Sequence, residues 1–103
     1  MGFSLENLNE TIISRAGGDP QQSYTAALLA EGLNKCARKL GEEAVETIIA
    51  AVEGDKKATI GEAADLVYHL LVLLKAADIP LDAVMAELEQ RTARSGLEEK
   101  ASR

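Results

Sequence analysis

Apolar residues recur at helical spacing along most of the chain, and the periodic runs break at glycine, proline or aspartate. Leu5, Leu8 and Ile12 predict a first helix over Phe3 to Arg15, with Ser4 placed to cap it. Gly17-Gly18-Asp19-Pro20 ends that helix. Ser23 is a cap for a second, Tyr24 to Glu31, with Leu28 and Leu29 facing inward and Gly32 as a break or kink. The period is clearest from Leu33 to Glu53. At about 100° per residue, Leu33, Ala37, Leu40, Ala44, Ile48 and Ala51 form one stripe, widened by Val45 and Val52. Gly54 closes this helix and Asp55 caps the next, Lys56 to Ala77. Asp78-Ile79-Pro80 turns the chain. Leu81, Val84, Met85 and Leu88 give the apolar face of a last helix that runs to about Arg94 and ends at Gly96. The pattern predicts an all-α fold, a bundle of four to five helices in a single domain over residues 1–103, with about 95–103 as a charged tail that is flexible or closes on a substrate.

The fourth helix carries the anomaly that organises the rest. After Asp65 it is almost continuously apolar to Leu74, broken only by Tyr68 and His69, yet Glu62 and Asp65 lie three residues apart on one side of it. Carboxylates in an apolar setting must be paired, hydrogen-bonded or bound to a cation, because an isolated buried charge costs several kcal/mol or more. Glu43 and Glu46 repeat the i, i+3 spacing on the preceding helix, and the short link makes the two helices antiparallel neighbours. Two such pairs can converge into a box of four carboxylates with a cation between them. Oxygen-only ligation selects Mg²⁺ or Mn²⁺ over zinc. The plainer alternative is a set of solvated glutamates on amphipathic helices, and Glu42 fits it equally well. A di-iron bundle requires Glu-x-x-His pairs, and the one histidine, His69, has Leu66 at i−3.

Composition narrows the function classes. The core must be aliphatic, since only 3% of the 103 residues are aromatic and none is Trp. A formal charge of −6 disfavours a nucleic-acid partner. It leaves a phosphorylated ligand open, because a divalent cation bridges acidic protein and anionic substrate. The single cysteine, Cys36, forms no intrachain disulfide and reads as a small buried hydrophobe in a reducing compartment. The N-terminus lacks the pattern of a secretory signal, and the longest apolar run is about half the length of a membrane span. The expected setting is cytoplasmic, with no membrane partner. The excess aliphatic surface of the fourth helix predicts a dimer at least.

The remaining polar residues divide between functional and structural readings. Lys39, four residues before Glu43, either receives a phosphate or makes an intrahelical ion pair. His69, one turn beyond Asp65, either hydrogen-bonds it, touches substrate, or packs as a structural histidine. Tyr68 lies on another side and is expected to put its hydroxyl at the surface. Arg91, Arg94, Lys100 and Arg103 form a basic cluster, which either complements a helix dipole or closes over an anionic substrate.

Lys39-Leu40-Gly41-Glu42-Glu43-Ala44-Val45-Glu46, followed by Glu62-Ala63-Ala64-Asp65-Leu66-Val67-Tyr68-His69, resembles the Glu-Glu-x-x-Glu … Glu-x-x-Asp signature of the all-α, MazG-like nucleotide pyrophosphohydrolases. Within that group the similarity is greatest to the phosphoribosyl-ATP pyrophosphatase family of histidine biosynthesis. Ser23-Tyr24-Thr25, Tyr68-His69 and the tail from Ser95 to Arg103 also resemble that family. The resemblance implies hydrolysis of phosphoribosyl-ATP to phosphoribosyl-AMP and pyrophosphate, with water attacking the α-phosphorus and Mg²⁺ (or Mn²⁺) held by Glu43, Glu46, Glu62 and Asp65. Glu42 or a box carboxylate such as Glu43 would accept the proton. Lys39, His69, Arg94, Lys100 and Arg103 would contact the substrate, and the assembly would be a homodimer. Two alternatives remain at this level: a housecleaning pyrophosphatase acting on another nucleoside triphosphate, and a helical dimerisation module without an active site.

Overall fold

The structure is a computed structural model, and it describes residues 2–93 together with Gly96 and Lys100. Among the described residues there are five helices and no strand: α1 (Leu5–Ala16), α2 (Tyr24–Ala30), α3 (Leu33–Val52), α4 (Lys56–Ala76) and α5 (Leu81–Thr92). The fold is an all-α bundle.

Local chemistry sets the helix ends. Ser4 Oγ accepts from the Asn7 amide at 3.1 Å while Asn7 Oδ1 accepts from the Ser4 amide at 3.0 Å, so α1 begins in a reciprocal cap and Phe3 stays outside it. Ser23 Oγ accepts from the Ala26 amide at the start of α2 and donates to the Arg15 carbonyl at the end of α1. One side chain thereby sets the corner between two helices. Gly32 starts α3 at φ +97°, a conformation that excludes most other residues, so it is a true break and not a kink. At its far end, α5 stops at Thr92 with Ala93 as its cap, and Gly96 is itself helical and does not end the element.

Every helix contributes to one small core: Ile12 from α1, Leu28 from α2, Cys36 from α3, Leu71 and Val72 from α4, and Leu81 from α5. Cys36 is buried as expected. Its thiol donates to the Leu28 carbonyl at 3.5 Å, and burial raises its pKa.

The apolar stripe of α3 does not face this core. The buried positions of α3 are Cys36, Glu43 and Ala50, spaced by seven, while Leu33, Val45, Ile48, Ile49 and Val52 are exposed. Across the turn, Ile60, Val67 and Leu70 of α4 are exposed too. The strongest hydrophobic face of the α3–α4 pair is therefore uncovered in a single chain, and the inward face of α3 holds an acid instead.

Candidate active site

Only Glu53-Gly54-Asp55 link α3 to α4. Gly54 adopts φ +78°, and the Asp55 carboxylate caps α4 by accepting from the Ala58 amide at 3.0 Å. The tight link folds α4 back along α3, and this is the most extensive helix pairing among the described residues. It brings the two acidic i, i+3 pairs to one seam.

One carboxylate oxygen from each of Glu43, Glu62 and Asp65 lies within 4.8 Å of the others. The three are graded in exposure. Glu43 is buried, Glu62 half-buried and Asp65 exposed, so the cluster is a slot open at one edge. Asp65 is thus less enclosed than the apolar run around it suggests. Glu46 stands outside the tight trio, one turn beyond Glu43 on α3, and its charge helps to raise the pKa of both Glu43 and Glu62. Three of the four residues of the predicted box therefore meet, with Glu46 beside them and outside the tight group.

The electrostatics of the slot are unfavourable without a cation. Burial, then hydrogen bonding with Glu46 and the charges of Glu46 and Asp65, push the Glu43 pKa up to about 7. Hydrogen bonding with Glu46 and then burial raise that of Glu62. Glu43 Oε2 and Glu62 Oε2 are both buried with no hydrogen-bond partner. Unpaired buried acceptors beside other carboxylates are the donor set a hard divalent cation requires, so the residues present fit such an ion.

At the rim, Lys39 Nζ lies 3.3 Å from Glu42 and 4.0 Å from Glu43. The hydrogen bond to Glu42 holds the ammonium above its usual pKa. Glu42 itself is half-exposed and turned to Lys39. The intrahelical pairing anticipated for Lys39 is present, and it includes a member of the slot.

His69 is buried, with its Nδ1 unpartnered and its pKa pushed down, chiefly by burial and then by the charge of Lys39. Tyr68 departs from expectation. Its hydroxyl does not point to solvent but hydrogen-bonds the Thr25 hydroxyl of α2, and Thr25 is only 2% exposed. Tyr24 completes an aromatic group, stacked on Tyr68 and edge-on to His69. Tyr24 and Thr25 were not among the expected site residues; the Ser-Tyr-Thr run opening α2 was their only signal. Lys100 is exposed, and Arg94 and Arg103 lie outside the described residues. Arg91 pairs with Glu87 at 2.9 Å.

Comparison with known proteins bears on what this arrangement does. A family model described as phosphoribosyl-ATP pyrophosphohydrolase matches residues 5–92. The chain is similar to a phosphoribosyl-ATP pyrophosphatase of Rhizobium johnstonii, with 59% identity over 102 residues, 99% of this chain and 95% of the relative. The relative of the same name in Methylobacterium radiotolerans is 61% identical over 101 residues, 98% and 94% of the two chains. That of Paracoccus denitrificans is 60% identical over 99 residues, 96% and 92%.

Proposed function

The chain belongs to the phosphoribosyl-ATP pyrophosphohydrolase family, and we propose that it hydrolyses phosphoribosyl-ATP to phosphoribosyl-AMP and pyrophosphate in histidine biosynthesis. The observation that carries this reading beyond family membership is the acidic slot. Its residues are those of the signature, and two of its oxygens are buried without partners.

Glu43, Glu46, Glu62 and Asp65 would hold Mg²⁺, with Mn²⁺ as an acceptable substitute, since carboxylate oxygens suit both ions. A bound divalent ion would supply neutralisation of the triphosphate and polarisation of the scissile phosphoanhydride. The protein's own residues would do the rest. Lys39 would exchange its bond to Glu42 for one to a phosphate oxygen, which leaves the Glu42 carboxylate free to accept the proton of the attacking water. Glu43, adjacent in sequence and also within reach of Lys39, is the second candidate for that proton. Neutral His69 would offer Nδ1 to the substrate from a buried position. Lys100, with Arg94 and Arg103, would close over the anionic end of the nucleotide.

The uncovered α3–α4 surface supports a homodimer, because aliphatic side chains on two adjacent helices need a partner of similar character. The chain would act as one domain over residues 1–103. A cytoplasmic setting suits a biosynthetic nucleotide enzyme, and no helix among the described residues is long and apolar enough to cross a membrane. Pyrophosphate release from phosphoribosyl-ATP by the purified protein, with and without Mg²⁺, tests the assignment.

A further inference from the structure

The chain contains three aromatic residues of the Phe, Tyr and Trp type: Phe3, Tyr24 and Tyr68. Two of them converge beside the acidic slot. Tyr68 is fixed by its hydroxyl bond to Thr25, which is itself buried. His69 is buried and meets the Tyr68 ring edge-on, with centroids 5.0 Å apart at 81°. These two rings form a rigid floor. Tyr24 lies over it, nearly parallel to Tyr68 at 6.3 Å and 17°, and close to perpendicular to His69 at 6.2 Å and 85°. Yet Tyr24 is 58% exposed. A ring supported on one side and open on the other contributes little to a core built from aliphatic residues.

Its location gives it another use. Tyr24 meets His69, which stands one helical turn beyond Asp65 at the open edge of the slot. The open ring therefore borders the rim of the slot where phosphates would lie. A nucleotide with its phosphates at the slot must place its base a ribose length away. Aromatic side chains with a free face are the usual receptors for bases, because stacking needs only a π-surface.

We propose that Tyr24 is a substrate-contacting residue that takes the purine ring by stacking, with Tyr68 and His69 as the floor that orients it. The inference rests on the nucleotide reading of the slot and adds the base-recognising surface to it. Thr25 acts as a positioning residue, since it touches Tyr68 and not the substrate.

Binding of two probes in the presence of Mg²⁺ tests this apart from turnover: AMP, and ribose 5-phosphate, which has the sugar phosphate but no base. Wild type should bind AMP more tightly than ribose 5-phosphate. Tyr24→Ala should weaken AMP about tenfold or more, the order of one lost base–aromatic stack, and leave ribose 5-phosphate within about twofold. Tyr24→Phe, which keeps the ring, should recover most of the loss. Equal binding of the two probes by wild type, or an unchanged AMP affinity in Tyr24→Ala, overturns the proposal. Equal weakening of both probes with a lowered unfolding midpoint also overturns it, by assigning Tyr24 a structural role. Failure to hydrolyse phosphoribosyl-ATP with AMP binding intact would count against the proposed reaction and not against the stacking surface.

Discussion

The carboxylates of Glu43 and Glu62 meet within 4.8 Å across the α3–α4 seam, and each keeps one buried oxygen without a hydrogen-bond partner. A protein that folds around such a pair has a use for the repulsion. With Asp65 at the open edge, the three carboxylates form the donor set that the proposed cation would need. This makes Glu62→Gln and Asp65→Asn informative substitutions, since each removes a carboxylate charge from the proposed ligand set with little change in shape. Both should keep the helical circular-dichroism signal and lose pyrophosphatase activity by at least about 100-fold, the upper end of the effect of outer-shell metal partners. Activity retained at saturating Mg²⁺ would remove them from the ligand set.

The raised Glu43 pKa gives metal-free stability a definite pH dependence. The folded protein holds a proton on Glu43 up to about pH 7, whereas the unfolded chain releases it near the ordinary glutamate value of about 4.5. The folded state thus binds more protons in that window, so stability falls as pH rises from about 4.5 to about 7 and levels off above. Melting in the presence of a chelator should show this decline. Glu43→Gln should flatten it and raise the midpoint at neutral pH. Mg²⁺ at pH 7.5 should stabilise the wild type through mass action and leave Glu43→Gln nearly unmoved.

The Thr25–Tyr68 bond is open to a separate test. Tyr68→Phe removes one hydroxyl and strands that of Thr25, which is 2% exposed. The expected loss is about 1–3 kcal/mol, the penalty for an unsatisfied buried group. Urea unfolding measures it, and a loss below about 0.5 kcal/mol would mean that Thr25 finds another partner.

Much of this arrangement was readable in the sequence because it is local. Ser4, Ser23 and Asp55 announce their helices through bonds spanning three residues. The acidic slot was readable too, since i, i+3 spacing and a three-residue link leave two helices few ways to place their acids. The partner of Tyr68 was not, because Thr25 lies 43 residues away and no local pattern marks the contact. The direction of the α3 stripe was also hidden. Periodicity locates the apolar side of a helix but does not say whether its own chain covers it, and here Ile48 and Val52 are left outside.

That exposed stripe predicts assembly. Ile48 is 61% exposed in the single chain and belongs to the aliphatic face shared by α3 and α4. Wild type should sediment at twice the 11.0 kDa chain mass or more. Ile48→Asp, which places a charge in the middle of the face, should shift the protein to monomer and lower its unfolding midpoint by several degrees. A monomeric wild type at tens of micromolar would contradict the proposed homodimer.

The most direct measurement is Mg²⁺-dependent pyrophosphate release by the purified protein from phosphoribosyl-ATP, run beside ATP, dUTP and dCTP. The predicted result is turnover of phosphoribosyl-ATP that disappears with chelator and exceeds turnover of the other three nucleotides by orders of magnitude. No release from phosphoribosyl-ATP, or comparable turnover of ATP, dUTP or dCTP, would contradict the assignment.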